Sequence, residues 1–349
     1  MRYPDPKLHQ FITHRNFTSY LVLFGFAILG LFLAQFFSYI ITLLYTDFDP
    51  TAATQFYVNQ ERNEADRVPL LLVQAANSLV LFVVAPLLYI RFFENGQLAA
   101  IPGRWLNQSW LIFAITSLMI VLYMPVSAWA VQWNERFVFP EGWETLEQQV
   151  RSMEDLLKEL TVFLVNFQSP LEFILGLVVV AVIPGIGEEL LFRGVLQNKI
   201  AKSTQSIHLA IWVSAFIFSA IHFQFYGFLP RMLLGALFGY LYFWSGSLLV
   251  PMFAHFLNNG FTLVWMYLYN KGIHQVNVDT VEEISIFWVI GSLSAVGILG
   301  VYLVQLCRPG PGEPILDLAT DAFVENNQGT EVLPEDENTE NPDKQPDKA

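Results

Sequence analysis

Charge is what this 349-residue chain has least of: Asp, Glu, Lys and Arg make up 14% of it, against 54% hydrophobic residues. Soluble domains carry about 25% charged residues, so the scarcity excludes a soluble globular protein and indicates an integral membrane one. Cysteine is nearly absent. Cys307 stands alone, which excludes an intrachain disulfide and a cysteine metal cluster, and its place at the end of an apolar run gives no reason to expect a thiol nucleophile. The chain also lacks an HExxH motif, an inserted soluble domain and an internal repeat. No nucleic-acid partner is expected.

What the chain has instead is long apolar runs, several of them near the roughly 20 residues that span a bilayer. The first, Phe17 to Tyr45, is far longer than the 7–15-residue core of a signal peptide and reads as a first membrane helix. The pattern predicts an all-α, polytopic helix bundle with about eight transmembrane helices, near 17–45, 68–93, 109–133, 168–190, 207–223, 229–245, 247–269 and 285–306. Residues 134–167 differ in kind. Leu146, Val150, Met153, Leu156, Leu157 and Leu160 recur at helical spacing among charges, as in a helix lying on a membrane surface or one packed in a loop.

The net charge of −13 belongs mostly to one end. Residues 309–349 hold eleven acids and two lysines, or −9, which leaves −4 for the other 308 residues. Such a tail, rich in Pro, Glu, Asp and Asn, is expected to be disordered. Three regions follow: 1–164 with the first membrane helices and the amphipathic segment, 165–308 as a membrane core, and 309–349 as the acidic tail. Orientation is read from Lys and Arg. With the N-terminus inside, nine fall on the cytoplasmic side and seven outside, which favours two cytoplasmic termini.

Three polar clusters interrupt the apolar core. Between Leu160 and Val278 the only acids are Glu172, Glu188 and Glu189. A carboxylate at membrane depth costs roughly 2.5–3.5 kcal/mol on insertion scales, so an adjacent pair beside Pro184-Gly185 calls for a use. The pair opens Glu188-Glu189-x-x-x-Arg193; Phe218-x-x-x-His222 and His255-x-x-x-Asn259 follow. Glu188 and His222 lie 34 residues apart around the polar stretch Lys199–Ser206. A helical hairpin there would put both about 25 Å from its tip, at a shallow depth if the tip meets water on that side. His255 follows the Ser245-Gly246-Ser247 turn and would reach a similar level. The i,i+4 rule pairs Glu189 with Arg193 and leaves Glu188 free to take a proton. A carboxylate base, a histidine to hold water or protonate a leaving amine, and a further His and Asn to donate to an oxyanion together suit hydrolysis.

With EELLFR (188–193), FSAIH (218–222) and HFLNN (255–259) in order, the chain resembles the CPBP family of intramembrane proteases: the type II CAAX prenyl endopeptidases and their bacterial relatives, also called Abi proteins. The resemblance covers roughly residues 165–270. It implies an eight-helix fold with a cavity open to the cytosol, and Glu188 activating water with His222. It implies His255 and Asn259 as oxyanion stabilisers, with Glu189 and Arg193 in support. The implied substrate is a membrane-anchored or lipidated, CAAX-like peptide, or else a bacteriocin precursor. The family is often labelled a metalloprotease. Glu188, His222 and His255 could hold zinc with an open position, but Asn is a poor zinc ligand, and a metal-free glutamate mechanism is the preferred expectation.

Two readings of another class stand beside this one. A proton-coupled transporter could use the same cluster as a relay, with Pro184-Gly185 as the helix break such folds use; the absence of paired repeats counts against it. A catalytically silent scaffold could keep the cluster for structure.

Overall fold

The computed structural model describes residues 6–58, 62–94, 109–273 and 283–307, so the acidic tail lies outside the described residues. These residues form helices α1 (Pro6–Tyr45), α2 (Pro50–Val58), α3 (Glu64–Phe93), α4 (Ser109–Glu135), α5 (Glu144–Val165), α6 (Pro170–Thr204), α7 (Ile207–Ala220), α8 (Phe228–Ser245), α9 (Leu249–Asn270) and α10 (Ile286–Cys307), with no strand among them. The boundaries have local causes. Ser169 accepts from the Glu172 N–H at the start of α6, where Pro170 takes the first helical position, a place that needs no N–H. Ser206 caps α7 in the same way. α8 stops at Gly246, whose φ of 64° is cheap for a residue without Cβ.

Five helices are long and apolar enough to cross a membrane: Thr18–Tyr45 within α1, α3, Trp110–Glu135 within α4, α6 and α10. The eight of the sequence reading are not reached by this measure. α7 has only 14 residues, and α8 and α9 carry the polar residues Arg231, His255, Asn258 and Asn259, which lower their apolar character. A helix that lines a polar site must look less like a membrane helix than one that faces lipid.

The ends of the helices sort onto two faces. Tyr20 near the start of α1 meets Ser203 at the end of α6, and Glu94 just past α3 meets Lys199. α10 runs antiparallel to α4, with Ser292 on the Leu122 carbonyl and the Ile284 N–H on Gln132, and so ends on the face where α4 begins. The described start of α1, the α6–α7 turn and the end of α10 therefore share one face. A core of Ile112, Met119, Phe238, Leu241, Val250 and Leu303 joins α4, α8, α9 and α10. Outward, Phe24, Phe32, Phe287 and Ile298 are exposed, as expected of helix faces turned to lipid.

On the opposite face lies the amphipathic segment, a helix as expected. Leu146, Met153 and Leu156 of α5 are left exposed, while its polar residues bind the bundle: Glu154 accepts the Tyr226 N–H, and Arg151 lies over the Tyr226 ring at 4.6 Å. Its far end is tied down by Arg67, fully buried, which donates to the Phe163 carbonyl and to Glu172 at 3.1 Å. One cation thus joins α3, α5 and α6. Removing one partner of a buried pair costs about 3–5 kcal/mol, and Glu172 is partly exposed, so Arg67→Ala should fall at the low end of that range. Thermal unfolding in detergent should show a clearly lowered midpoint, and an unchanged midpoint would remove the clamp.

Candidate active site

Glu188 and Glu189 lie in the middle of α6, both buried. The helix around them is not a regular α-helix. Val178–Val182 and Leu190–Gln197 are π-helical, on either side of Ile183–Glu189; such widened turns recur at functional sites. Pro184 has no N–H to offer the Val180 carbonyl, the acceptor four residues back. Asn259 of α9 donates to that carbonyl at 3.1 Å. The proline is thus accommodated within a continuous helix, and the break read from the sequence is instead a tie between α6 and α9.

The two glycines beside the pair set how near the neighbours come. A Cβ on Gly185 would lie 3.1 Å from the Phe256 nitrogen and 3.2 Å from the Met252 oxygen, both backbone atoms of α9. A Cβ on Gly187 would lie 2.9 Å from Phe82 on α3. Backbone cannot move aside as a flexible side chain can.

Close approach of α9 brings His255 to the acids. Its Nδ1 is 2.9 Å from Glu189 Oε1, and its Nε2 is 3.8 Å from Glu188 Oε2. Because the Glu189 oxygen accepts, Nδ1 is assigned the proton and Nε2 points its lone pair toward Glu188. Arg193 donates to the same Glu189 oxygen at 2.8 Å and, with its other terminal nitrogen, to the Gly235 carbonyl of α8 at 2.5 Å. The i,i+4 pairing read from the sequence is present, completely buried.

His222 follows the end of α7. Its Nδ1 donates to the Phe218 carbonyl at 2.8 Å, which leaves Nε2 unprotonated and free. The Phe218 ring stands edge-on to both histidines, 5.2 Å from His222 and 6.0 Å from His255, with Arg193 over it at 5.1 Å. Phe238 stacks on His255 at 5.0 Å. The Phe218 ring therefore adjoins Arg193, His222 and His255, and His255 in turn adjoins Glu188 and Glu189. Asn259 is near but engaged: its amide is on Val180, and its oxygen accepts from Asn258 at 3.1 Å. Sequence reasoning missed Phe238, Gly235 and Arg231. The repeat Gly235-x-x-x-Gly239 was the visible signal for a closely packed α8.

The approach to the cluster is set by helix lengths. α6 extends 18 residues, about 27 Å, from Pro170 to Glu188, whereas α7 ends after 14 residues beside Phe192. The α7–α8 hairpin therefore stops short of the start of α6 and leaves a recess beyond the segment 221–227, where Phe223 is exposed and α5 lies on the flank. Toward the α6–α7 turn the path is filled by buried Leu190, Phe192, Val195, Gln197, Ser247 and Leu248. The path from the α6–α7 tip, the expected wet side, is thus filled by side chains, and the short α7 leaves its recess on the other face.

Glu188, His222 and His255 were tested as metal ligands by their donors. Among the described residues no three His, Cys, Asp or Glu side chains are arranged to hold a metal ion. His222 Nδ1 is held by Phe218, and His255 Nδ1 by Glu189. Both histidines keep Nε2, the pattern of a metal-bound histidine, but these side chains are not grouped to hold an ion, and no step is routed through a metal.

A carboxylate pair, two histidines and a neutralising arginine inside an apolar helical bundle define a membrane-embedded site equipped for proton transfer. Residues 170–261, which hold the whole cluster, match the family model described as Rce1-like, type II CAAX prenyl endopeptidase Rce1-like. The resemblance to the CPBP proteins drawn from the three motifs is borne out by that match. Over 74 residues the chain is 39% identical to a protein described as uncharacterized protein YpbD of Bacillus subtilis (strain 168); the alignment covers 20% of this chain and 34% of YpbD. The chain thus spans about a third of the length of that curated relative. No solved structure matches it.

Overpacked helix contacts cost about 1–3 kcal/mol. Gly185→Ala should lower the unfolding midpoint in detergent and loosen α9, whereas Gly291→Ala, with nothing within 4 Å of the new Cβ, should leave it unchanged. Equal effects of the two would show that α9 does not depend on this approach.

Proposed function

We propose that the protein is an intramembrane endopeptidase that hydrolyses a peptide bond of a membrane-anchored or lipidated, CAAX-like substrate. The observation that carries this is the division of the two glutamates: Glu189 is bound by Arg193 and His255, while Glu188 faces a histidine nitrogen without being held by a cation. The family match over 170–261 supports the same reading. α7, α8 and α9 complete a set of eight membrane helices in this account, with the shorter ones forming the floor of the recess.

The bond changes run through these groups. Glu188 takes a proton from water as its oxygen bonds the peptide carbonyl carbon, and the C=O electron pair moves onto the carbonyl oxygen. His222, with Nε2 free, holds the water. When the tetrahedral species collapses, the C–N bond breaks and the amine takes the proton from Glu188, which leaves an acid and an amine. This route needs no metal, since His222 keeps Nε2 for the water. The same cluster could serve a transporter, but the second face of the site is packed shut, and a relay needs both.

Orientation decides where the substrate is met. The Lys and Arg count, nine to seven, puts the termini in the cytoplasm and the recess outside. A reporter fused after Cys307 should then read as cytoplasmic; an external reporter assigns cytosolic substrates instead.

General acid–base groups contribute about 10²–10⁴-fold. With a labelled library of membrane-anchored peptides, Glu188→Gln and His222→Ala should each lower cleavage by that much while the unfolding midpoint holds. Unchanged cleavage in both would end the protease reading, and a wild type inert on every peptide would favour the rivals.

A further inference from the structure

Asn259 spends one amide N–H on the Val180 carbonyl and His255 its Nδ1 proton on Glu189, so the oxyanion of the proposed reaction has room for a further donor. A different residue is placed to supply one. Arg231 lies in the first turn of α8, on the floor of the recess. Its guanidinium lies against Gly227, where a Cβ would come within 3.2 Å of Nη2, and Nη2 donates to Gln224 at 2.5 Å. Nη1 is buried and has no hydrogen-bond partner among the described residues. A buried unpaired donor is costly, on the order of 1–3 kcal/mol, more when charged, so its retention calls for a use.

The surroundings say which. Arg231 is within electrostatic reach of Glu188, of Glu154 on α5 and of His222. Its acceptor Gln224 stands two residues from His222 in the α7–α8 connection, so the guanidinium lies beside the water-holding histidine, and unlike Arg193 and Arg67 it is bound to no carboxylate among the described residues. The N-terminus of the 18-residue helix α8 points the same way, and its dipole also favours negative charge.

We propose that Arg231 is a catalytic residue, its Nη1 donating to the carbonyl oxygen as that oxygen gains the electron pair from the C=O bond. This rests on the peptidase reading of the site. Charge appears on that oxygen only as the water oxygen bonds to carbon, and it is lost when the C–N bond breaks, so the contact strengthens in the transition state and does not govern ground-state binding. Gln224 holds the guanidinium in place through Nη2 and leaves Nη1 for the reaction.

The test is steady-state cleavage of one membrane-anchored peptide by the full chain, with unfolding midpoints measured in parallel. Loss of one oxyanion donor lowers kcat by about 10²–10³-fold. Arg231→Gln should show that loss with KM within a few-fold of wild type and no drop in midpoint. Arg231→Lys, which keeps the charge but not the fork, should recover part of it. A change confined to KM would mean that Arg231 binds a substrate anion such as a C-terminal carboxylate, and would overturn the proposal. Unchanged kinetics would overturn it too, while cleavage by wild type left the peptidase reading standing. A wild type that cleaves nothing overturns both. If Arg231→Gln fails to fold, Gln224→Ala, which frees the guanidinium, must lower kcat, and an unaltered kcat would count against the proposal.

Discussion

The Glu189 carboxylate is the point on which the rest of this structure hangs. One of its oxygens accepts from Arg193 on its own helix and from His255 on α9, and Arg193 reaches on to the Gly235 carbonyl of α8. Three helices are therefore joined through one fully buried group. Charges in such surroundings are tolerable only when paired and hydrogen-bonded, so the helices cannot separate without stranding an ion. The pairing also frees Glu188. With Glu189 paired to Arg193, Glu188 keeps its place beside the His255 nitrogen.

Backbone geometry makes this convergence possible. Gly185 admits α9, Gly187 admits α3, and Pro184 leaves a carbonyl that Asn259 takes up. The two π-helical stretches bracket the same seven residues. Short α7 then leaves a recess above His222, and α5 is pinned beside it by Glu154 and Arg151. Sequence features that look like interruptions in an apolar helix are in this way the features that assemble its polar site.

Much of this was legible in the sequence. The i,i+4 spacing of Glu189 and Arg193 foretold their ion pair, and apolar length foretold α1, α3, α4, α6 and α10. Equal distance from the α6–α7 turn put Glu188 and His222 at one level, and the end of α7 beside Phe192 agrees with it. The tie of Asn259 to Val180 was not legible, because spacing says which side chains share a face, not which acceptor they meet. The deficit at the Val180 carbonyl arises only from the proline opposite. The filled path was hidden for a similar reason: the α8–α9 turn resembles an exposed turn in sequence, yet Ser245, Ser247 and Leu248 are buried. Arg231 belongs to no spacing rule that links it to Glu188, and only the folded chain brings the two within reach.

The account's central claim is that two adjacent glutamates have separate tasks, one structural and one chemical. Thermal unfolding midpoints of Glu188→Gln and Glu189→Gln, measured side by side in detergent, test it most directly. Glu189→Gln removes the charge that neutralises buried Arg193, a loss on the order of 3–5 kcal/mol, and should lower the midpoint steeply, while Glu188→Gln should leave it near that of the wild type. A larger fall for Glu188→Gln, or equal falls for both, would contradict the division.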